Sequence, residues 1–388
     1  MTLPPRRKPY RVQIVTDAQL EYFREAVIGA RHYGFETGRI EFVDRWLDHE
    51  MRGDLAALVR RDRVQGIVAP IHTVKEERRY AALGIPVVNV SHTQIGSALP
   101  LVTQDDVAVG RLAAQHLRGC GCRSFGFWGD PGRAYSEERL LGFRAELGLH
   151  GQSDALQIGS GPDVRMKRWL SRLVRPAGIF AVLDIGALGL IRSARQLGWR
   201  VPEDVAILGA GDDDFWVEFE RVPLSSVRLP ARRIGDEAAS LLTELLERGP
   251  VSPPPCRRLP VEGIAARKST DVIYAGDPAV ARALRFIREQ ALRNPYVSEV
   301  ARAAGIARTA LQTRFRSVVG RTILHEIQRT QLARAQELLT TTDLPLAMIA
   351  EQCAFPNSQR FSVVFRQRLG LSPSSYRRQY RPAGFGRE

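Results

Sequence analysis

Two stretches in the last quarter of the chain repeat one another, and they restrict that region to paired short helices. The first reads VSEVARAAGIARTALQTRFR from Val297 to Arg316, the second LAMIAEQCAFPNSQRFSVVFR from Leu346 to Arg366. Val300-Ala301 aligns with Ile349-Ala350 and Ile306 with Phe355, each 49 positions apart. Leu311 and Phe315 align with Phe361 and Phe365, the second copy having one more residue in its turn. In each copy a small residue, Ala301 or Ala350, lets a first helix pack closely on the helix after the turn. The i, i+4 pairs Leu311/Phe315 and Phe361/Phe365 give that second helix one apolar face. Its other face carries Arg308, Thr309, Gln312, Thr313 and Arg316 in the first copy, and Asn357, Ser358, Gln359 and Arg360 in the second. Such side chains hydrogen-bond base edges or phosphates. The pattern predicts two helix-turn-helix units whose second helices enter the major groove of duplex DNA. The amphipathic stretch Thr322–Leu339 between them would, as one rigid helix, set the two readers about one duplex turn apart. A helical bundle with polar outer faces is the alternative reading of the same pattern.

Charge separates this region from the rest. Of the net +14, +10 falls between Asp277 and Glu388, which holds 18 Arg, no Lys and 8 acidic residues. A small basic module beside a near-neutral one is expected to face a polyanion, although an arginine-heavy composition would also raise the pI.

The segment from Arg11 to about Val227 alternates short apolar runs with helical patterns. Strands are predicted at Val12–Val15, Gly66–Ala69, Val87–Val90, Ser124–Trp128, Gly178–Val182 and Val205–Leu208. Amphipathic stretches lie between them: Tyr22–Tyr33, Val107–Leu117, Glu137–Leu147 and Ile185–Leu197. Strand then helix, repeated, is the mark of a parallel α/β sheet covered by helices on both faces. After the break at Pro250-Val-Ser-Pro-Pro-Pro255, Leu259–Ala266 is expected to return to this domain as one last strand. The expected domains are residues 1–270 and 271–388.

Several classes of chemistry find no support. No apolar run approaches the ~20 residues needed to span a bilayer, and the basic start MTLPPRRKPYRVQIV lacks the apolar core of a secretory signal. Four scattered cysteines do not make a disulfide framework, so a reducing cytoplasm is the expected location. Cys120-Gly-Cys122 has no second ligand pair at usable spacing, and Asp212-Asp213-Asp214 reads as an acidic turn or a ligand contact. No HExxH, GxSxG, P-loop or GxGxxG motif is present. No metal, cofactor or catalytic constellation is expected.

The closing motif FSVVFRQRLGLSPSSYRR, Phe361–Arg378, is very similar to the signature of the AraC/XylS family of bacterial regulators, a resemblance that covers about Pro278–Tyr380. It implies base contacts at Arg308, Thr309, Gln312 and Thr313, and at Ser358, Gln359 and Arg360. One departure is Ala354, where the family usually has Gly in the turn; an Ala needing a positive φ there would be strained.

The α/β segment resembles the periplasmic-binding-protein-like sensor domain of the LacI/GalR repressors over about Arg11–Thr270. The residues that carry this are Val102-Thr-Gln-Asp-Asp106 with Gly110 and His116-Leu117, Arg139-x-x-Gly142-Phe143, and Asp184. Val201-Pro202-Glu-Asp204 before Val205–Gly209, Leu224-Ser-Ser226, and Ala266–Thr270 continue the match. The resemblance implies two lobes that close over a small sugar, with cleft residues Asp17, Tyr22, Arg24, Asp105, Arg139 and Asp184. Each sits near the carboxyl end of a strand, where doubly wound folds bind ligands; a helix cap or ion pair is the alternative role for each. Gly211 stands where many relatives have a ligand-binding Asp, so Asp212 is the expected substitute. Pro70 and His72 likewise differ from the polar cleft residues of relatives.

Sensor first and reader last implies a sugar-responsive architecture: a homodimeric transcription activator on promoter DNA, with D-xylose the effector that this domain order suggests. The competing reading is an α/β small-molecule-binding protein or enzyme with a helical appendage for protein contacts.

Overall fold

The computed structural model describes residues 8–380 apart from 18–19, 44–46, 49–54, 95, 123, 150–155, 162, 214–220 and 273–276. Its chain divides into two compact units, residues 1–115 with 124–270, and residues 116–123 with 271–388.

The first unit opens with β1 (Tyr10–Thr16), α1 (Glu21–Thr37), β2 (Ile40–Phe42), β3 (Leu47–Asp48), α2 (Leu55–Arg61) and β4 (Gly66–Ala69). α3 (Val74–Ala81), β5 (Val87–Asn89), β6 (Leu101–Gln104), α4 (Asp106–Gly119), β7 (Ser124–Gly129) and α5 (Ala134–Leu147) follow. Then come β8 (Leu156–Ser160), α6 (Asp163–Leu170), β9 (Ala177–Ala181), α7 (Asp184–Gln196) and β10 (Val205–Gly211). β11 (Ser225–Arg228), α8 (Ala231–Arg248), β12 (Cys256–Leu259) and β13 (Gly263–Ala265) complete it.

These strands form two sheets. One has the order β12-β6-β5-β4-β1-β2, with β3 also on β1, and the other β13-β11-β10-β9-β7-β8. Every pairing is parallel except β13 against β11. β4, β6 and β9 are buried along their whole length, as strands covered on both faces must be. The chain passes between the sheets from β6 to β7, from β11 to β12 and from β12 to β13, which makes a two-lobed α/β domain.

All six strands expected from apolar runs are strands here. No strand is expected from apolar runs at β2, β3, β6, β8 or β11; in β8 and β11, LQIGS and SSVR carry too few apolar residues to stand out. The single strand expected over Leu259–Ala266 is instead two, in different sheets. Pro260 has no N–H to continue the ladder, and the chain leaves the first sheet there.

Each lobe contains a helix pair in near-backbone contact. A Cβ built on Gly29 of α1 would lie 1.8 Å from the Arg232 carbonyl oxygen, and one on Gly235 of α8 would lie 1.8 Å from that of Ala26. In the other pair, Gly110 of α4 would meet the Arg139 oxygen at 1.9 Å, and Gly142 of α5 that of Val107 at 1.9 Å. Only glycine permits either crossing.

The second unit is helical, with no strand among its described residues. Asp277 caps α9 (Pro278–Gln290) by accepting from the Ala279 N–H at 2.8 Å, and Pro278 takes the first helical position. α10 (Val297–Ala304) and α11 (Arg308–Val319) follow, then α12 (Ile323–Thr341), capped by the Thr322 hydroxyl. α13 (Leu346–Gln352), α14 (Ser358–Leu369) and α15 (Pro373–Tyr380) end the described chain.

Two separate cores hold the unit together. One gathers Val280, Leu284, Val300, Ala301, Leu311 and Phe315, the other Ile349, Ala350, Phe355, Phe361 and Phe365. α12 serves both: Ile323 and Ile327 enter the first core, Leu332, Ala335, Leu338 and Leu339 the second. At 19 residues it is about 28 Å long.

Candidate functional sites

Asp106 is the first residue of α4 and is completely buried. Its carboxylate accepts from Gln104 Nε2 at 2.9 and 3.0 Å and from Arg139 Nε at 2.7 Å, and it pairs with His92 Nδ1 at 2.9 Å. Burial alone would raise its pKa. The Arg139 guanidinium and the bonds from His92 and Gln104 outweigh that and hold it below the usual carboxylate range.

From Gln104 the network runs to Tyr22, whose hydroxyl donates to Oε1 at 2.9 Å. Burial, and then the Asp106 charge, raise that phenol above its ordinary value. At the other end Arg139 Nη1 donates to the Val182 carbonyl at the end of β9, and its guanidinium lies 5.2 Å from the Tyr135 ring centroid. Tyr22, His92 and Gln104 belong to the lobe of β1, β5 and β6, whereas Arg139 and Val182 belong to the other. The network therefore joins the carboxyl ends of both sheets, where such folds take their ligands. Arg139 can reach Asp106 because Gly110 and Gly142 bring α4 and α5 together.

A second cluster sits over β10. Asp184 opens α7 and is buried; it accepts from the Ser226 hydroxyl at 2.6 Å and the Asp213 N–H at 3.1 Å. A Cβ on Gly209 would fall 2.1 Å from its Oδ1, so β10 carries glycine where the carboxylate lies. Burial pushes Asp184 up to about 6, against the lowering effect of those hydrogen bonds. Asp213 reaches the other lobe through the Glu21 N–H at 3.4 Å.

The remaining cleft candidates divide by what their side chains touch. Asp105 accepts from the Ala108 N–H at 2.9 Å and so caps α4. Asp212, at φ +60°, pairs with Arg267 at 2.6 Å and Arg228 at 3.1 Å, one carboxylate oxygen to each. Asp17 and Arg24 are half-buried, Asp17 just past β1 and Arg24 in α1. Arg24 is two positions from Tyr22 and leaves the opposite side of that helix. Asp214 lies outside the described residues.

Sequence reasoning chose Asp105 and passed over Asp106, His92, Gln104 and Ser226. The signal for Asp106 was present: in Asp-Asp ahead of an amphipathic run, the first carboxylate is placed to cap the helix, and the second enters its first turn. His92, Asp106 and Glu138 lie close enough together to hold a cation. Their atoms are already engaged, Asp106 as above and Glu138 by both Arg258 nitrogens, so the cluster is an ion-pair network.

In the helical unit the expected contact residues share one surface on each second helix. Arg308, Thr309, Gln312, Thr313 and Arg316 are all exposed on α11, opposite the buried Leu311 and Phe315. On α14 Gln359 and Arg360 are exposed and Ser358 half-buried, opposite Phe361, Val364 and Phe365. Asn357 spends its side-chain oxygen on the Arg360 N–H at 2.7 Å, as the cap of α14. Among the described residues Arg308, Arg316, Arg360 and Arg366 have no ion-pair partner, whereas Arg314 pairs with Asp277, and Arg321 and Arg329 hold buried Glu326. The turns correspond too: Gly305 has φ +71° and Ala354 φ +59°, so the anticipated strained alanine is there.

Residues 114–270 match the family model of a periplasmic binding protein-like domain, and residues 300–379 that of a helix-turn-helix domain. The chain is 29% identical to the xylose operon regulatory protein of Escherichia coli K12, over 95% of this chain and 97% of that protein. A solved xylose-binding transcription activator superposes with a TM-score of 0.59 at 27% identity, over 96% of this chain and 99% of that one. A transcriptional regulator solved with cellobiose gives 0.56 at 25% identity, over 69% and 86%.

Proposed function

We infer from a chain that carries a periplasmic binding protein-like domain ahead of an AraC-type helix-turn-helix domain, as in the xylose operon regulatory proteins it resembles, that it is a DNA-binding transcription regulator controlled by a small sugar. One observation carries the reading. Two helices, each on its own small core and tied by the single helix α12, present exposed polar and arginine-bearing faces with no acidic residue on either.

Residues 271–388 are the reader and 1–270 the sensor. On the reader, Arg308, Thr309, Gln312, Thr313 and Arg316 with Ser358, Gln359 and Arg360 meet bases or phosphates, and Asn357 sets the start of α14. In the sensor a sugar would meet Asp184, Arg139 and Tyr22 between the lobes, with Asp17 and Arg24 at the rim. Asp105 and Asp212 hold the scaffold beneath them. Hydroxyl groups suit this set, since carboxylates accept and a guanidinium donates in pairs. Binding that favours closed lobes would shift a pre-existing equilibrium between two arrangements of the readers in a homodimer. D-xylose is the first effector to try, and activation in the cytoplasm the expected outcome.

Footprinting the full-length protein on its promoter with and without D-xylose tests this, alongside binding at rising salt. Affinity should fall steeply with salt, and the footprint should change with the sugar. Salt-independent or absent duplex binding would remove the reader function, and identical footprints would remove D-xylose. A thermal-shift screen of pentoses and hexoses would then identify the effector by the stabilisation that a binder gives.

A further inference from the structure

The outward face of α14 has an apolar centre. At about 100° per residue, Val363 emerges about 200° round the helix from both Phe361 and Phe365, on the side away from that buried pair. It is 47% exposed, flanked on that face by exposed Gln359 and Arg366. Stability does not account for a valine there. A β-branched side chain loses χ1 freedom in a helix and is a poorer helix former than alanine, and this one contributes nothing to the core.

The first repeat has the same arrangement. Thr313 stands two residues after Leu311 and two before Phe315, as Val363 stands between Phe361 and Phe365, and it too is exposed. Its hydroxyl donates to the Thr309 carbonyl at 3.2 Å, so its methyl is the apolar group left for a partner. Each reader thus centres its polar face on a branched methyl.

The major groove offers one apolar feature, the C5-methyl of thymine. Polar base edges give valine nothing and lose water against it. We propose that Val363 sets sequence preference in the second half-site by packing its γ-methyls on the C5-methyl of a thymine. The proposal rests on the DNA-reading function above and adds a base to it.

The probe is the duplex that the full-length chain selects from a random-sequence pool, with each thymine then replaced singly by deoxyuridine, which lacks only that methyl. Burying one methyl is worth about fourfold in affinity. One thymine should show that loss with the wild-type chain and no further loss with Val363→Ala, while Val363→Thr, which keeps a γ-methyl, should retain the dependence. Three results overturn the proposal: no thymine sensitive to the change, equal sensitivity in Val363→Ala at every thymine, or loss of sensitivity in Val363→Thr. If the wild-type chain selects no duplex, the reader function itself falls. A selected duplex with no Val363-dependent thymine removes only this inference.

Discussion

Gly110→Ala should uncouple the two lobes of the sensor. The added methyl would lie 1.9 Å from the Arg139 carbonyl oxygen, whereas a Cβ and a carbonyl oxygen need more than about 3 Å. That oxygen is backbone, so no side chain can turn aside, and α4 and α5 must part by about 1 Å or more. The same movement carries Arg139 away from Asp106, now 2.7 Å distant. Overpacking of this kind costs about 1–3 kcal/mol, and loosening a buried ion pair, whose full loss costs about 3–5 kcal/mol, adds to it. A total loss of about 2–5 kcal/mol is expected. Urea unfolding followed by tryptophan fluorescence measures it cleanly, because all five tryptophans precede residue 217 and report the sensor alone. Arg111→Ala, on the exposed side of α4, is the control and should stay within about 0.5 kcal/mol of wild type. Sugar-induced stabilisation should weaken in Gly110→Ala while duplex affinity persists. A Gly110→Ala sensor as stable as the control, responding normally to its sugar, would refute the coupling of helix contact to the Asp106 network.

Three further outcomes follow. Ala354→Gly should stabilise the second helix-turn-helix by about 0.5–1 kcal/mol, since alanine at φ +59° bears left-handed strain that glycine avoids. Gly305→Ala should lose a similar amount, and slower hydrogen exchange of the Phe355 amide, bonded to Ala350 at 2.8 Å, reads the gain. Asp184 binds its proton more tightly folded than unfolded, so it makes stability fall as pH rises from about 4 to about 6. Asp184→Asn should flatten that slope, by up to about 3 kcal/mol across the window; parallel urea-midpoint profiles for the two proteins from pH 4 to 7 would contradict the assignment. Gln359→Ala should relax base preference by about 1–3 kcal/mol at one position, seen in competition between promoter and scrambled duplexes. Equal losses on all sequences would instead make Gln359 a phosphate contact.

The helical unit was legible almost residue by residue, because each of its signals lies within one helix and turn. Leu311 and Phe315 bury one face, so Gln312 and Thr313 between them face outward, and the repeat carries the buried pair to Phe361 and Phe365, 50 positions on. Val363 was passed over all the same, since an apolar residue on a polar face is read first as core. The parallel strands with long apolar runs were equally clear. β6 and β11 were not, because Thr103, Gln104, Ser225 and Ser226 are buried polar residues whose partners come from distant segments, such as Tyr22 for Gln104 and Arg267 for Ser225.

The sensor's chemistry depends on such distant partners. Asp105 caps α4 locally and leaves Asp106 in its first turn, but Asp106 meets Arg139 only because Gly110 and Gly142 bring α5 alongside. Asp212 looked available for a ligand, but Arg228 and Arg267 claim it from 16 and 55 residues away. The two units should therefore respond differently to change. On α11 and α14 the exposed polar side chains proposed to meet DNA make few contacts within the protein, the Thr313 hydroxyl on the Thr309 carbonyl being one, so one substitution there should alter a base preference at little cost in stability. Between the lobes, Arg139 or Asp184 cannot be replaced without leaving a partner buried and unpaired, at several kcal/mol. A new effector preference there requires replacing whole hydrogen-bonded sets, with Asp106, Gln104 and His92 changing together, whereas the operator can be retuned one residue at a time.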